Sequence, residues 1–394
     1  MKINITSIYE VSYIKDEPFV STEDRQVVPM DIYPEFNHHF EFNPQPGTTV
    51  KMLFVEISSD EGVKGHYGPI DPQQAFIIES LIAPFLKGKD PFAIEALHDQ
   101  MLRLHRHGRT GLFMTGLSAV DLALWDLKGK ALNLPVYRLL GGPTRPTVPA
   151  YASMLGSSIE PNRAAAAAQE MKAQGYSAQK WFFRYGPGSG QQGLEKNMAM
   201  AFAVREAVGE HYPLAFDAFN GWTEPYAVEM LQNLAAIHPL WVEEVVPPER
   251  IESLSRIRSA CKVPIATGEH VYTRWQINEL LVHGALDYVQ SDPDWTGGIT
   301  EQVKICALAS SFNIPVIAHG HSILPALHIA AAQSPAVVPM IEFLVRLKSG
   351  KQTIYQEPLL PQNGEFPLPQ SSGLGLDIAD SILQSRREIS WKNV

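Results

Sequence analysis

From about residue 147 onward the chain alternates short apolar segments with amphipathic ones, and this alternation constrains the fold more than any other feature. The apolar segments are "TVPAYAS", "SAQKWFF", "PLAFDAF", "LWVEEVV", "VPIATGE", "LDYVQSD", "IPVIAHG" and "VPMIEFL", separated by stretches such as "PNRAAAAAQEMKAQ" and "ITEQVKICALASSF". Eight apolar strands interleaved with helices are the signature of a parallel β/α barrel. An open doubly wound sheet fits the same strand count. No Gly-x-Gly-x-x-Gly follows the first of these strands, and "GPGSG" at 186–190 is a lone glycine-rich loop, so a dinucleotide site gains no support.

The N-terminal part reads differently. "NITSIYEVSYI" and "TTVKMLFVEISSDEGVKGHYG" have period-two stretches, the second with a turn at Asp60, Glu61 and Gly62, as antiparallel strands do. The proline-, acid- and histidine-rich segment between them has no regular pattern and reads as a lid or a disordered stretch. Helical patterns follow over 72–87, 92–107 and 114–133; the last is apolar on nearly every face until Lys128, which predicts a buried helix.

The 394 residues are 45% hydrophobic, ample for a large core. The formal net charge of -10 is spread without a basic run, which argues against nucleic acid and an anionic membrane surface and favours a small-molecule partner. Two cysteines, Cys261 and Cys306, supply neither a disulfide framework nor a cysteine metal site and fit a reducing cytoplasm. The N-terminus alternates where a signal peptide would be unbroken, and no run reaches the roughly 18 apolar residues of a membrane span.

In a barrel the C-terminal strand ends face the active site. Asp217, Glu243, Glu269, Asp292 and His319 end the third to seventh strands, with Lys180 in the second and Glu342 in the eighth. Asp217 to Glu243 and Glu243 to Glu269 are equal intervals of 26 positions, about one β/α unit each, so three carboxylates converge at one height. Clustered anions repel, and their pKa values climb without a cation. An all-oxygen ligand set suits a hard ion, Mg2+. Glu244 is expected on the opposite strand face as a structural residue paired to a helix lysine or arginine. Asp292 beside His319 fixes one imidazole tautomer and raises its basicity, which makes His319 a candidate general base; His321 and Asp294 are less favoured neighbours.

These residues, with "GLSAVDLALWDLKGKALNLPVYRLLGG", "TGEH", "SDPDWTGGITE" and "HGHS", resemble the enolase superfamily in its mandelate racemase-like branch over nearly the whole chain. The resemblance implies an α/β fold: an N-terminal α+β capping domain (1–130, with the tail 350–394 packing back on it) over a modified (β/α)8 barrel, (β/α)7β, at 131–349. It implies Mg2+ on Asp217, Glu243 and Glu269, Asp292 and His319 as the acid/base dyad, and Glu342 against the substrate carboxylate or enolate. Racemases of the branch carry Lys-x-Lys on the second strand; here Lys180 is followed by Phe182. An apolar ring in place of the second base favours dehydration over racemisation. "GPGSGQQGLEKN", "PPER", "TGEH" followed by "TRW", and "EFL" are similar to the L-rhamnonate dehydratase group, which turns sugar acids into 2-keto-3-deoxy acids. The implied contacts to substrate are Lys180 to the carboxylate or enediolate, Arg184, His270, and His38 and His39 in a capping loop with Tyr33. Relatives commonly form dimers or octamers, so a homo-oligomer is expected. The rivals are an epimerase or cycloisomerase using Lys180 as second base, and a non-catalytic barrel.

Overall fold

The computed structural model describes residues 1–15, 23–33, 47–347 and 354–390. Strands β1 (Ile3–Lys15), β2 (Thr48–Ser59) and β3 (Lys64–Ile70) form an antiparallel sheet in that order. A helical run follows: α1 (Pro72–Ile77) passes through a π turn into α2 (Ala83–Leu86), then come α3 (Ile94–Leu104) and α4 (Gly111–Leu132). Helix α4 is buried along most of its length, as its unbroken apolar pattern predicts, and it carries two buried acids. Asp126 accepts hydrogen bonds from the backbone of His66 and Leu374 and from Lys130. Asp121 accepts from Thr300 N–H at the start of a barrel helix, and burial pushes its carboxyl up to about 7.

After α5 (Val136–Leu139) the parallel layer begins. It comprises β4 (Thr147–Ser153), α6 (Pro161–Ala173), β5 (Gln179–Phe182), α7 (Gly190–Val208), β6 (Leu214–Asp217), α8 (Glu224–Leu234), β7 (Trp241–Glu243), α9 (Ile251–Ala260), β8 (Ile265–Thr267), α10 (Thr273–Val282), β9 (Tyr288–Val289), α11 (Gly298–Ser311), α12 (Ile323–Ala332) and β10 (Ile341–Leu344). The strands pair in the order β10-β4-β5-β6-β7-β8-β9. Two tail strands return: β11 (Glu365–Pro367) pairs with β4, and β12 (Leu383–Ile389) pairs with β1.

The expected strand at 314–320 is reduced to a single bridge between Val316 and Val289. At its end Gly320 donates its N–H to the Glu342 carboxylate at 2.9 Å, where a ladder would use a carbonyl. A Cβ at Gly320 would come 2.8 Å from Glu342 Cγ, so this approach needs glycine. The sheet nevertheless closes on itself. Tyr151, Ala178, Ala215, Trp241 and Ala266, from the first five barrel strands, meet Ile317 of the seventh in one interior cluster, with Tyr288 of the sixth packed against it and Tyr151 edge-on to Trp241 at 5.6 Å. This is barrel packing, in which alternate residues point to the axis, and an open sheet offers no such interior. Among the described residues no helix is long and apolar enough to cross a membrane.

Two buried histidines on the layer interfaces make stability depend on pH. His328 Nδ1 accepts Tyr137 N–H at 3.1 Å, so the ring is neutral and its Nε2–H donates to Leu374 O at 3.1 Å. His98 Nε2 donates to Gly297 O at 3.0 Å. Burial lowers both rings from 6.5 to about 4. The unfolded chain therefore takes up protons first, and this stability is complete above about pH 6.5 and is lost as pH falls toward 4. In urea unfolding, the stability deficit of His328→Gln relative to wild type should be about 2 kcal/mol smaller at pH 5 than at pH 7.5. A deficit independent of pH would contradict the neutral assignment.

Candidate active site

Strand register brings the predicted acids together at the C-terminal mouth of the barrel. Asp217 and Glu243 are paired neighbours at the ends of β6 and β7, and Lys180 on β5 points between them. Lys180 Nζ lies 2.8 Å from Glu243, 3.0 Å from Glu342 and 3.2 Å from Asp217, and all four side chains are buried. These anions outweigh the cost of burial and hold the ammonium well above its ordinary range, so Lys180 is a fixed cation. Phe182, also buried, has its ring centroid 5.3 Å from Nζ.

The carboxyls respond unequally. Burial pushes Asp217 up to about 6 against the pull of Lys180, while at Glu342 burial is outweighed by Lys180, His319 and Ser153 together, which hold it down at about 2. Glu269, just beyond β8, is pushed well up by burial and by repulsion from Glu244, Glu243 and Asp217. Its oxygens lie 3.2 Å from His319 Nε2 and 3.4 Å from His270 Nδ1.

Glu244 is not where strand alternation put it. The strand ends at Glu243, and Glu244 adopts a left-handed backbone with φ of 48°, so the two-residue alternation stops there. Its buried side chain pairs with His270 Nδ1 at 2.7 Å and accepts from Asn220 at 2.8 Å, and among the described residues no lysine or arginine pairs with it. Burial works to lower the His270 pKa, but the hydrogen bond to Glu244 and the charges of Glu244, Asp217 and Asp292 together outweigh it and raise it above its ordinary value. Among the described residues, Glu244, Glu269 and His270 offer ligand atoms within 4.8 Å of one another.

A cation fits this mouth. Asp217, Glu243, Glu244, Glu269 and Glu342 are five buried carboxyl groups, and Lys180 is the only lysine or arginine paired with them among the described residues. Glu243 Oε1 is buried without a hydrogen-bond partner. An oxygen-rich, underneutralised cluster is the donor chemistry of a hard divalent ion.

The dyad is also assembled. His319 Nδ1 lies 2.8 Å from Asp292 Oδ2, and Asp292 is buried. A carboxylate accepts, so Nδ1 carries the hydrogen and Nε2 is the basic nitrogen. Trp295 packs against His319 and His321, each at 5.0 Å between centroids, and against His270 at 5.8 Å. Sequence reasoning passed over this indole, although "SDPDW" places it three residues after Asp292.

Other predicted contacts lie apart. Residues 23–33 cross the barrel mouth, with Val27 N–H donating to Phe183 O and Glu23 N–H to Gly156 O. Arg184 sits beneath this segment near Arg25 and Asp31, and burial and the Arg25 charge lower its pKa; it makes no ion pair with the carboxylate cluster. Tyr33 is exposed, and His38 and His39 lie outside the described residues.

The chain matches the model of the mandelate racemase / muconate lactonizing enzyme N-terminal domain over residues 42–141 and that of the enolase C-terminal domain-like family over 163–382. It is 33% identical to an arabinonate dehydratase from Saccharolobus solfataricus, over 85% of this chain and 90% of that protein. It is 32% identical to an L-rhamnonate dehydratase from Saccharopolyspora erythraea, over 91% of each. The crystal structure of a rhamnonate dehydratase from Gibberella zeae complexed with Mg superposes with a TM-score of 0.83 at 28% identity, over 97% of this chain and 95% of that one. With both domain models matched in order and relatives aligned over most of their length, the chain belongs to the mandelate racemase / muconate lactonizing enzyme family of the enolase superfamily.

Proposed function

We propose that this protein is a Mg2+-dependent dehydratase of an aldonate-type sugar acid, with Asp217, Glu243 and Glu269 holding the ion and Glu244 adjoining it. Bound there, Mg2+ supplies positive charge for the second negative charge that a substrate carboxylate gains when its α-proton leaves. His319 takes that proton on Nε2 while Asp292 stabilises the resulting imidazolium through Nδ1–H. The same imidazolium returns the proton to the 3-hydroxyl. The carbon–oxygen bond breaks, water departs, and the enol gives up its 2-hydroxyl proton to solvent and takes one at C3 to become a 2-keto-3-deoxy acid. His270, oriented by Glu244, binds substrate hydroxyls, and Arg184 beneath the 23–33 segment serves the distal end. The dyad and the metal-holding acids together fit an enzyme of sugar-acid breakdown, which this reading places in the cytoplasm.

One observation favours dehydration over epimerisation. Lys180 is locked between three buried carboxylates with an apolar ring beside it, so it has no lone pair to offer as a second base. Elimination needs a proton carrier on one face only. The names of the similar dehydratases support the substrate class.

The deciding assay incubates purified protein with Mg2+ and a panel of aldonates and aldarates in D2O. Loss of water with a 2-keto-3-deoxy product is expected, and EDTA should abolish it. Deuterium in recovered, epimerised substrate without keto product would establish the epimerase instead. Mg2+ at about 100 times its Kd should add about 2.7 kcal/mol of stability. A binding protein without metal chemistry would show no such gain.

A further inference from the structure

Beside the Asp292–His319 pair stands a second carboxylate–imidazole pair, each partner displaced by two residues. His321 Nδ1 lies 2.5 Å from Asp294 Oδ2, and the other oxygen of Asp294 accepts from the Tyr67 hydroxyl. Tyr67 belongs to β3 and Asp294 to the loop after β9, so these contacts cross from the N-terminal layer to the barrel. Tyr67 and Asp294 are both buried, and burial with the Asp294 charge pushes the phenol well above its usual range, leaving it a neutral donor.

The second pair is joined to the first through backbone. Asp294 N–H donates to Asp292 Oδ1 at 2.7 Å, and His321 N–H donates to Asp292 Oδ2 at 3.2 Å. Two of the three donors on the dyad carboxylate are therefore the amides of residues whose side chains are pinned by each other and by Tyr67. The neighbouring cavity, lined by Tyr67, Asp294, His321, Ser322 and Tyr355, is about 40 Å³. Ligand sites for small molecules run to several hundred Å³, so this seam orients groups rather than binding a sugar acid. Partners that hold a functional carboxylate or imidazole from behind set its orientation within a fraction of an ångström.

We propose that Tyr67, Asp294 and His321 are positioning residues that tie the seating of the N-terminal layer on the barrel to the orientation of the Asp292–His319 dyad. The assignment rests on the reading of His319 as the base. Removing the Tyr67 hydroxyl leaves a buried carboxylate oxygen without its donor, and the 292–295 loop relaxes to find another.

The test compares Tyr67→Phe, Asp294→Asn and Asp294→Ala with wild type. Tyr67→Phe should lower kcat by about 10- to 100-fold with KM within about twofold, the usual cost of losing a supporting partner. The isotope effect with α-deuterated substrate should rise, because proton removal becomes slower relative to other steps. Hydrogen–deuterium exchange at the amides of residues 294 and 321 should speed up, whether or not substrate is known. Asp294→Asn keeps an acceptor oxygen and the side-chain shape and should recover most of what Asp294→Ala loses. Unchanged kcat in folded Tyr67→Phe, or a loss matched only by unfolding with both amides still protected, would overturn the proposal. Wild type inactive on every acid sugar would instead refute the dehydratase reading, and the amide exchange would still decide whether Tyr67 holds the loop.

Discussion

Replacing His319 with asparagine should lower kcat for dehydration by about 10²- to 10⁴-fold, the share of a positioned general base. Asparagine can still donate to Asp292, so the loop keeps its anchor, but it has no basic nitrogen where Nε2 stands. The loss should therefore fall on kcat, with KM and the stabilisation by Mg2+ little changed. Exchange of the α-proton with D2O should vanish in parallel, because the same nitrogen performs both. Activity within tenfold of wild type, or surviving α-exchange, would place the base elsewhere, and His270 would be the next residue to replace. Its imidazole also packs on Trp295 at the mouth, and it too is oriented by a buried acid, Glu244.

What was legible in the sequence followed from periodicity and spacing. The apolar alternation marks β4 through β9 and β10, and the equal 26-residue intervals anticipate that Asp217 and Glu243 stand side by side in register. The helical patterns at 72–87, 92–107 and 114–133 correspond to Pro72–Leu86, Ile94–Leu104 and Gly111–Leu132. Alternation fails where the strand itself stops. Glu244 turns into the mouth because a single left-handed residue reverses its direction, and such a backbone state on a glutamate leaves no mark in composition. The seventh strand is similar: Gly320 gives its amide to a side chain, which a reading based on apolar residues cannot foresee. The second dyad was visible as the two-residue echo of Asp292 in Asp294 and of His319 in His321. Its importance depends on Tyr67, more than 200 positions away, and no local pattern connects them.

Lys180 was legible as a barrel-mouth residue but not as the counter-charge to three acids, and its removal should give the largest stability effect in the molecule. Lys180→Met preserves most of the side-chain volume and deletes the only permanent cation that, among the described residues, pairs with Asp217, Glu243 and Glu342. Breaking a buried ion pair from one side typically costs about 3–5 kcal/mol, because the remaining charges have no solvent to replace their partner. Here three carboxylates lose it together, so metal-free Lys180→Met should unfold in urea with a deficit at or above that range. A divalent ion at the same mouth restores positive charge, and the deficit should shrink when Mg2+ replaces EDTA. Turnover should not return with it: in the proposed mechanism the lysine charge beside Glu342 helps to carry the growing negative charge, so kcat/KM should stay about 100-fold or more below wild type. If Lys180→Met matched wild type in EDTA, the three carboxyls would have to be protonated in the native protein. The mouth would then hold no excess of anions to attract a metal, and the electrostatic basis of the proposed chemistry would be lost.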